Sequence, residues 1–154
     1  MSPRRSATGA SSGLDAVDPA FETLGLWGLF ASSFLSATLL PGNSEVVLVA
    51  LLQQAPHLAW PAIGVATAGN TLGGLSSYLV GRFFPRPTPR RGLDWLSRYG
   101  PVALLLSWVP VVGDGLCVAS GWLRHNVLAA ALFIAIGKFA RYWALAEGLA
   151  WFRG

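Results

Sequence analysis

Four ionisable side chains lie inside apolar stretches of this 154-residue chain: Glu45, Asp114, Lys138 and Arg141. A charge at mid-bilayer depth costs about 2.5–3.5 kcal/mol on insertion scales, so the four would cost on the order of 10 kcal/mol if uncompensated. That approaches the whole stability of a domain. They must therefore face a protein interior or water, and their signs cancel. Lys138 and Arg141 are three apart on one predicted helix and share a face, which Tyr142, four from Lys138, joins. Glu45 and Asp114, each just after a helix breaker, are the natural partners. Glu147 falls on another face near the end of that helix and is expected at the membrane interface. Two uses of the set are open. One is a static ion-pair clasp. The other is a polar substrate or proton site, to which Asn43, Asn70 and Tyr142 would contribute, with Glu45 able to cycle a proton.

Other chemistry is poorly provided for. The single cysteine, Cys117, sits in an apolar run and reads as a packing residue. His57 and His125 are too isolated to ligate a metal, so neither metal nor cofactor is expected. Phosphate-binding glycine loops, HExxH and the nucleophile elbow are missing, and Ser44 has no histidine near it in sequence. An enzyme is not expected. The net charge of +4 is modest and the arginines do not alternate with aromatics, which argues against nucleic acid.

The elements that must position these residues are membrane helices. The chain is 53% hydrophobic and 12% charged, against about 25% charged in soluble domains. Apolar stretches cover Leu24–Leu52, Trp60–Phe84, Pro101–Leu123 and Val127–Phe152. A crossing needs about 20 such residues. The second and fourth stretches read as full spans. Pro41-Gly42 splits the first, and Pro110 with Gly113-Asp114-Gly115 splits the third, into pieces too short to cross. Each reads as a re-entrant hairpin or broken helix, with a kinked ordinary span the alternative. Irregular backbone at that depth needs protein or a wet cavity around it.

Residues 1–20 are small, polar and of mixed charge, and are expected to be a disordered lead rather than a cleaved signal. Residues 21–154 form one membrane domain, with halves at 24–84 and 99–153. Between them, residues 82–98 carry Arg82, Arg86, Arg90, Arg91 and Arg98 against Asp94, so the positive-inside rule makes this loop cytoplasmic. Pro85, Pro87 and Pro89 make its start extended. Leu93, Trp95, Leu96 and Tyr99 then outline a short interfacial helix.

Gly69, Gly73, Ser77 and Gly81 recur every four residues, a small-residue ridge that admits close helix packing. The halves also echo one another. Glu45 follows Pro41 by four residues, as Asp114 follows Pro110. Gly69-Asn70 lies 28 residues beyond Pro41, and Gly137-Lys138 27 beyond Pro110. The fold class expected is all-α, two broken or re-entrant hairpins each followed by a transmembrane helix, as a pseudo-inverted repeat. Such transporters place their site where the repeats meet.

The segments FASSFLSATLLPGNSEVVLVALL, AGNTLGGLSSYLVGRFF, RYGPVALLLSWVPVVGDGLCVASGWLR and GKFARY resemble the DedA superfamily (VTT or SNARE-associated domain), above all its short YqaA-type branch. The resemblance runs over about residues 24–145. It implies a multi-pass protein of the bacterial inner membrane with two re-entrant hairpins. It also implies transport or scrambling of lipids, with phospholipid or undecaprenyl phosphate as partner, and a part in envelope integrity. Asn43 stands where the family carries an acid after Pro-Gly, with Glu45 two residues on. The arginines of the family's second hairpin are missing, and Lys138 and Arg141 could supply positive charge instead. Two full spans make a small pathway, which suits a homodimer.

Overall fold

The computed structural model describes residues 18–37, 43–84 and 91–154. Pro41 and Gly42 lie outside the described residues, as do Arg86, Arg90, Pro85, Pro87, Pro89 and residues 1–17 of the lead. Every described element is helical. The order is α1 (Pro19–Ser36), α2 (Asn43–Gln54), a 3-10 turn (Pro56–Leu58), α3 (Ala59–Phe83), α4 (Arg91–Tyr99), a 3-10 helix (Gly100–Trp108), α5 (Val112–Trp122) and α6 (Val127–Arg153).

The helix starts follow local chemistry. The Asp18 side chain accepts from the Ala20 amide and Pro19 opens α1, so residues 18–20 begin the first helix rather than ending a disordered lead. Asn126 caps α6 through Leu128 and Ala129. Whereas the second half of the third stretch, α5, is an α-helix, its leading half is a 3-10 helix. It runs nine residues, where such helices seldom exceed four. It begins at Gly100, itself at φ 62°, and leads into a turn with Val111 at φ 66°. A 3-10 helix rises about 2.0 Å per residue against 1.5 Å in an α-helix, so nine residues reach further.

Contacts set the directions. Ser36 Oγ lies 3.4 Å from Ser44 Oγ, and at the other end Gly25 faces Leu51, so α1 and α2 form an antiparallel hairpin. Along α3, Gly69 meets Phe30 and Ser33 while Gly73 meets Phe34 and Ala37, so α1 runs parallel to α3. Gly74 touches Cys117, and Gly121 touches Tyr78 and Arg82, so α5 is parallel to α3 as well. Helix α6 runs the opposite way, with Ile134 at Gly74 and Tyr142 at Asn70. The open end of the first hairpin is tied to the start of α3 by His57 Nε2 and Glu22 Oε1, 2.8 Å apart. The open end of the second lies at the finish of α3, where Tyr78 donates to the His125 carbonyl at 2.5 Å. The hairpins thus enter from opposite ends and their tips meet midway.

Each hairpin has its own core. Leu29, Leu48, Leu51, Leu52, Ala62, Ile63, Ala66 and Tyr142 form one. Tyr78, Leu104, Cys117, Ala130 and Ile134 form the other. The outer surface is apolar too: Leu128, Leu132, Ile136, Phe139 and Trp143 make an exposed row down α6. Among the described residues only α6 is both long and apolar enough to cross a bilayer, over Val127–Phe152. The sequence suggested two such spans. Helix α3 has the length, at 25 residues, but Gly69, Asn70, Thr71, Gly73, Gly74, Ser76 and Ser77 dilute its apolarity.

Within the basic loop, α4 forms from Arg91 to Tyr99 with Leu96 buried and Trp95 and Tyr99 exposed, their rings 5.1 Å apart. The ridge on α3 serves two neighbours. Gly69, Gly73 and Ser77 face α1, and Ser77 Oγ reaches the Ala37 carbonyl at 3.5 Å. Gly81 faces Val118 of α5 instead. A step of four residues turns about 40° around a helix of 3.6 residues per turn, so three steps carry the row about 120° round.

Candidate functional site

The charged side chains meet on α6. Arg141 pairs with Glu45 of α2, and Lys138 Nζ lies 3.4 Å from Asp114 Oδ1 of α5. Glu45 stands in the first turn of α2, near the positive end of the helix dipole, and Asp114 in the first turn of α5. Both carboxylates are therefore favoured locally before any cation is counted. The turn that aims Asp114 is tight: the Gly113 amide donates to Val109 O at 2.9 Å, and a Cβ on Gly113 would sit 2.4 Å from the Ser107 carbonyl oxygen. Only glycine fits there. Pro110, exposed, caps the turn through its own carbonyl, which accepts from Val112 at 2.7 Å.

The two pairs differ in setting. Lys138 is 3% exposed and packed against the second hairpin, where Gly137 touches Leu105 and Ser107. Glu45 borders a groove of about 380 Å³ that continues along Val46, Val49, Ala50 and Gln53 of α2 and Leu145 of α6. A larger groove, about 530 Å³, runs between α1 and α3 along Thr23, Leu26, Trp27, Phe30, Gly64, Val65 and Ala68. It holds no charge, so size alone does not make it the chemical site.

A neutral network adjoins Glu45. Asn70 Nδ2 donates to Tyr142 OH at 2.5 Å, Tyr142 OH lies 2.9 Å from Ser44 Oγ, and Ser44 Oγ reaches Ser36 Oγ at 3.4 Å. All four side chains are buried. Asn70 Oδ1 and Ser33 Oγ, equally buried, have no hydrogen-bond partner among the described residues. Asn43 is exposed at the first position of α2 and joins neither the network nor the ion pairs described. Glu147 is exposed on α6.

Sequence reasoning placed Asn70 and Tyr142 near this site but missed Ser36 and Ser44. Their signal was available, since both flank the Pro41-Gly42 break. It also missed the two histidines. His57 joins α2 to α3 and His125 joins α5 to α6, equivalent places in the two halves. His125 Nδ1 lies 2.9 Å from Ser120 Oγ, and Arg82 donates to the Tyr78 hydroxyl at 2.9 Å. Burial holds the His125 imidazole below its ordinary value. Among the described residues no group of three or more His, Cys, Asp or Glu could hold a metal ion.

No family model and no solved structure matches the chain. Curated relatives do. Inner membrane protein YqaA of Escherichia coli (strain K12) is 53% identical over 138 residues, 84% of this chain and 97% of the relative. The protein of the same name from Shigella flexneri shows the same identity and coverage. An uncharacterized protein of Haemophilus influenzae is 48% identical over 131 residues, 76% of this chain and 82% of its own length. An apolar outer surface, a spanning α6 and relatives this similar over nearly their whole length lead to one conclusion: the chain belongs to the YqaA family and is an integral protein of the bacterial inner membrane.

Proposed function

We propose that this protein is a small lipid transporter or scramblase of the DedA type, without enzymatic chemistry of its own. In this reading α3 and α6 both cross the membrane. The α1–α2 and 3-10–α5 hairpins are re-entrant from opposite faces, and the loop 82–98 is cytoplasmic. The carrying observation is the Glu45–Arg141 pair, which lies at a hairpin tip and opens onto the groove between α2 and α6. A charge pair at the meeting point of inverted halves, with an apolar channel beside it, suits a molecule with a polar head and a greasy tail. Phospholipid and undecaprenyl phosphate are the candidates, and a homodimer would enlarge the pathway.

Purified protein in vesicles, assayed for flux over a panel of lipids, tests the proposal. Glu45→Gln should abolish flux for at least one lipid while the protein still folds. Unchanged flux would remove Glu45 from the pathway. A second reading, a non-transporting envelope-maintenance factor, draws on Lys138, which is 3% exposed and resembles a sealed clasp. It predicts no flux for any lipid, with lower thermal stability in Lys138→Met.

A further inference from the structure

The tip of α2 is held to α6 at two adjacent residues by two adjacent residues. Glu45 pairs with Arg141, and Ser44 bonds Tyr142. The second tie is anchored from α3: Asn70 Nδ2 donates to Tyr142 OH, Tyr142 OH and Ser44 Oγ share a hydrogen bond in which either can donate, and Ser44 Oγ lies 3.4 Å from Ser36 Oγ. One hydroxyl thereby joins α3, α6, α2 and, through Ser44, α1. Elsewhere α2 is lightly held, packing on α3 and α6 less extensively than α1 or α5 packs on α3. The groove beside Glu45 lies on the same α2–α6 seam.

We infer that Tyr142 is a positioning residue: its hydroxyl, oriented by Asn70, clamps Ser44 and so holds Glu45 against Arg141, keeping the α2–α6 seam closed. Release of the clamp lets the tip of α2 move away from α6 and widens the groove. The inference rests on the transport reading for its purpose, but the clamp itself is measurable without any substrate.

The test is spin labelling of the full chain in vesicles. Val46→Cys and Leu128→Cys place labels on exposed positions of α2 and α6, and Cys117 is buried and stays unlabelled. About 20 Å of α6 separates the level of Tyr142 from Leu128, within range of pulsed dipolar spectroscopy. The labelled parent should give one distance. Tyr142→Phe keeps the ring, and Ser44→Ala is its complement. Each should raise the open-to-closed ratio about tenfold, the worth of one buried hydrogen bond, and so show a second, longer distance. Ser44→Thr, which keeps a hydroxyl, should restore the single distance. The double variant should open no further than either single one. A single unchanged distance in both Tyr142→Phe and Ser44→Ala, or additive effects in the double variant, overturns the clamp. Distances that shift while every lipid flux is absent uphold the clamp and reject transport.

Discussion

The two hairpins follow one plan and differ in almost every detail. Both are antiparallel, both bring an acid to α6, and both end at a histidine. The first is built from two α-helices. The second replaces its leading half by a nine-residue 3-10 helix and turns sharply at Val111. The first sends its acid across to a cation in the other half, and the pair opens onto a groove. The second pairs its acid with Lys138 within its own half, where the lysine is buried and the acid is about as exposed as Glu45. Where Lys138 stands on α6, the matching position of α3 carries Asn70, so the halves share a topology but neither backbone detail nor charge. The same helix α6 thus holds the two acids in two different settings.

The largest effects should come from the seats of the second hairpin. A Cβ on Gly121 would lie 2.0 Å from the Tyr78 carbonyl oxygen, and one on Gly81 the same distance from that of Val118. Gly121→Ala and Gly81→Ala should each cost about 3 kcal/mol by overpacking, read as a fall in thermal midpoint in detergent. By contrast Gly28→Ala in α1 and Gly64→Ala in α3 meet nothing within 4 Å and should hold or slightly raise the midpoint, since alanine is the better helix former. Equal losses at all four would erase the distinction between tight and open seats.

Next come the ion pairs. Lys138→Met strands Asp114 at the tip, where removing one partner of a buried pair costs about 3 kcal/mol before discount for the partial exposure of Asp114. Asp114→Asn in the same chain should recover most of that. Glu45→Gln keeps a hydrogen-bonding group beside Arg141 and should cost about 1 kcal/mol, while flux is lost. The two variants thus separate holding from working; the reverse ranking would exchange the roles of the hairpins.

The smallest effect belongs to His125 at the mouth of the second hairpin. Burial holds it below its ordinary value of 6.5, so just below that pH the folded chain binds fewer protons than the unfolded one. Stability from this group is complete above 6.5 and declines as the pH falls through it. The drop in thermal midpoint between about pH 8 and about pH 5.5 should shrink by a degree or two in His125→Gln. An identical drop in both chains would mean that burial at this mouth carries no proton linkage.

Much of this arrangement could be read from the residues. Charge neutrality inside an apolar chain forces Glu45, Asp114, Lys138 and Arg141 together, and the Pro110–Gly113 break locates the turn that carries Asp114. Which acid meets which cation was not legible, because that depends on how α2 and α5 cross α6. The 3-10 helix was hidden for a different reason. Over nine residues a period of 3.0 and one of 3.6 sort leucines onto nearly the same positions. The Ser44–Tyr142–Asn70 chain joins residues 98 and 72 apart, a relation no local pattern records. Helix α4 was legible because an amphipathic segment after a run of prolines needs no partner to declare itself.

The rotating ridge of α3 has a mechanical consequence. Helix α1 leans on Gly69 and Gly73, and α5 leans on Gly81, in each case backbone against backbone. Side chains can yield by changing rotamer, whereas the backbone carbonyls of Phe30, Phe34 and Val118 at these seats cannot. Helix α3 is thus a common rail: α1 and α5 both rest on it, at glycines about 120° apart around the one helix.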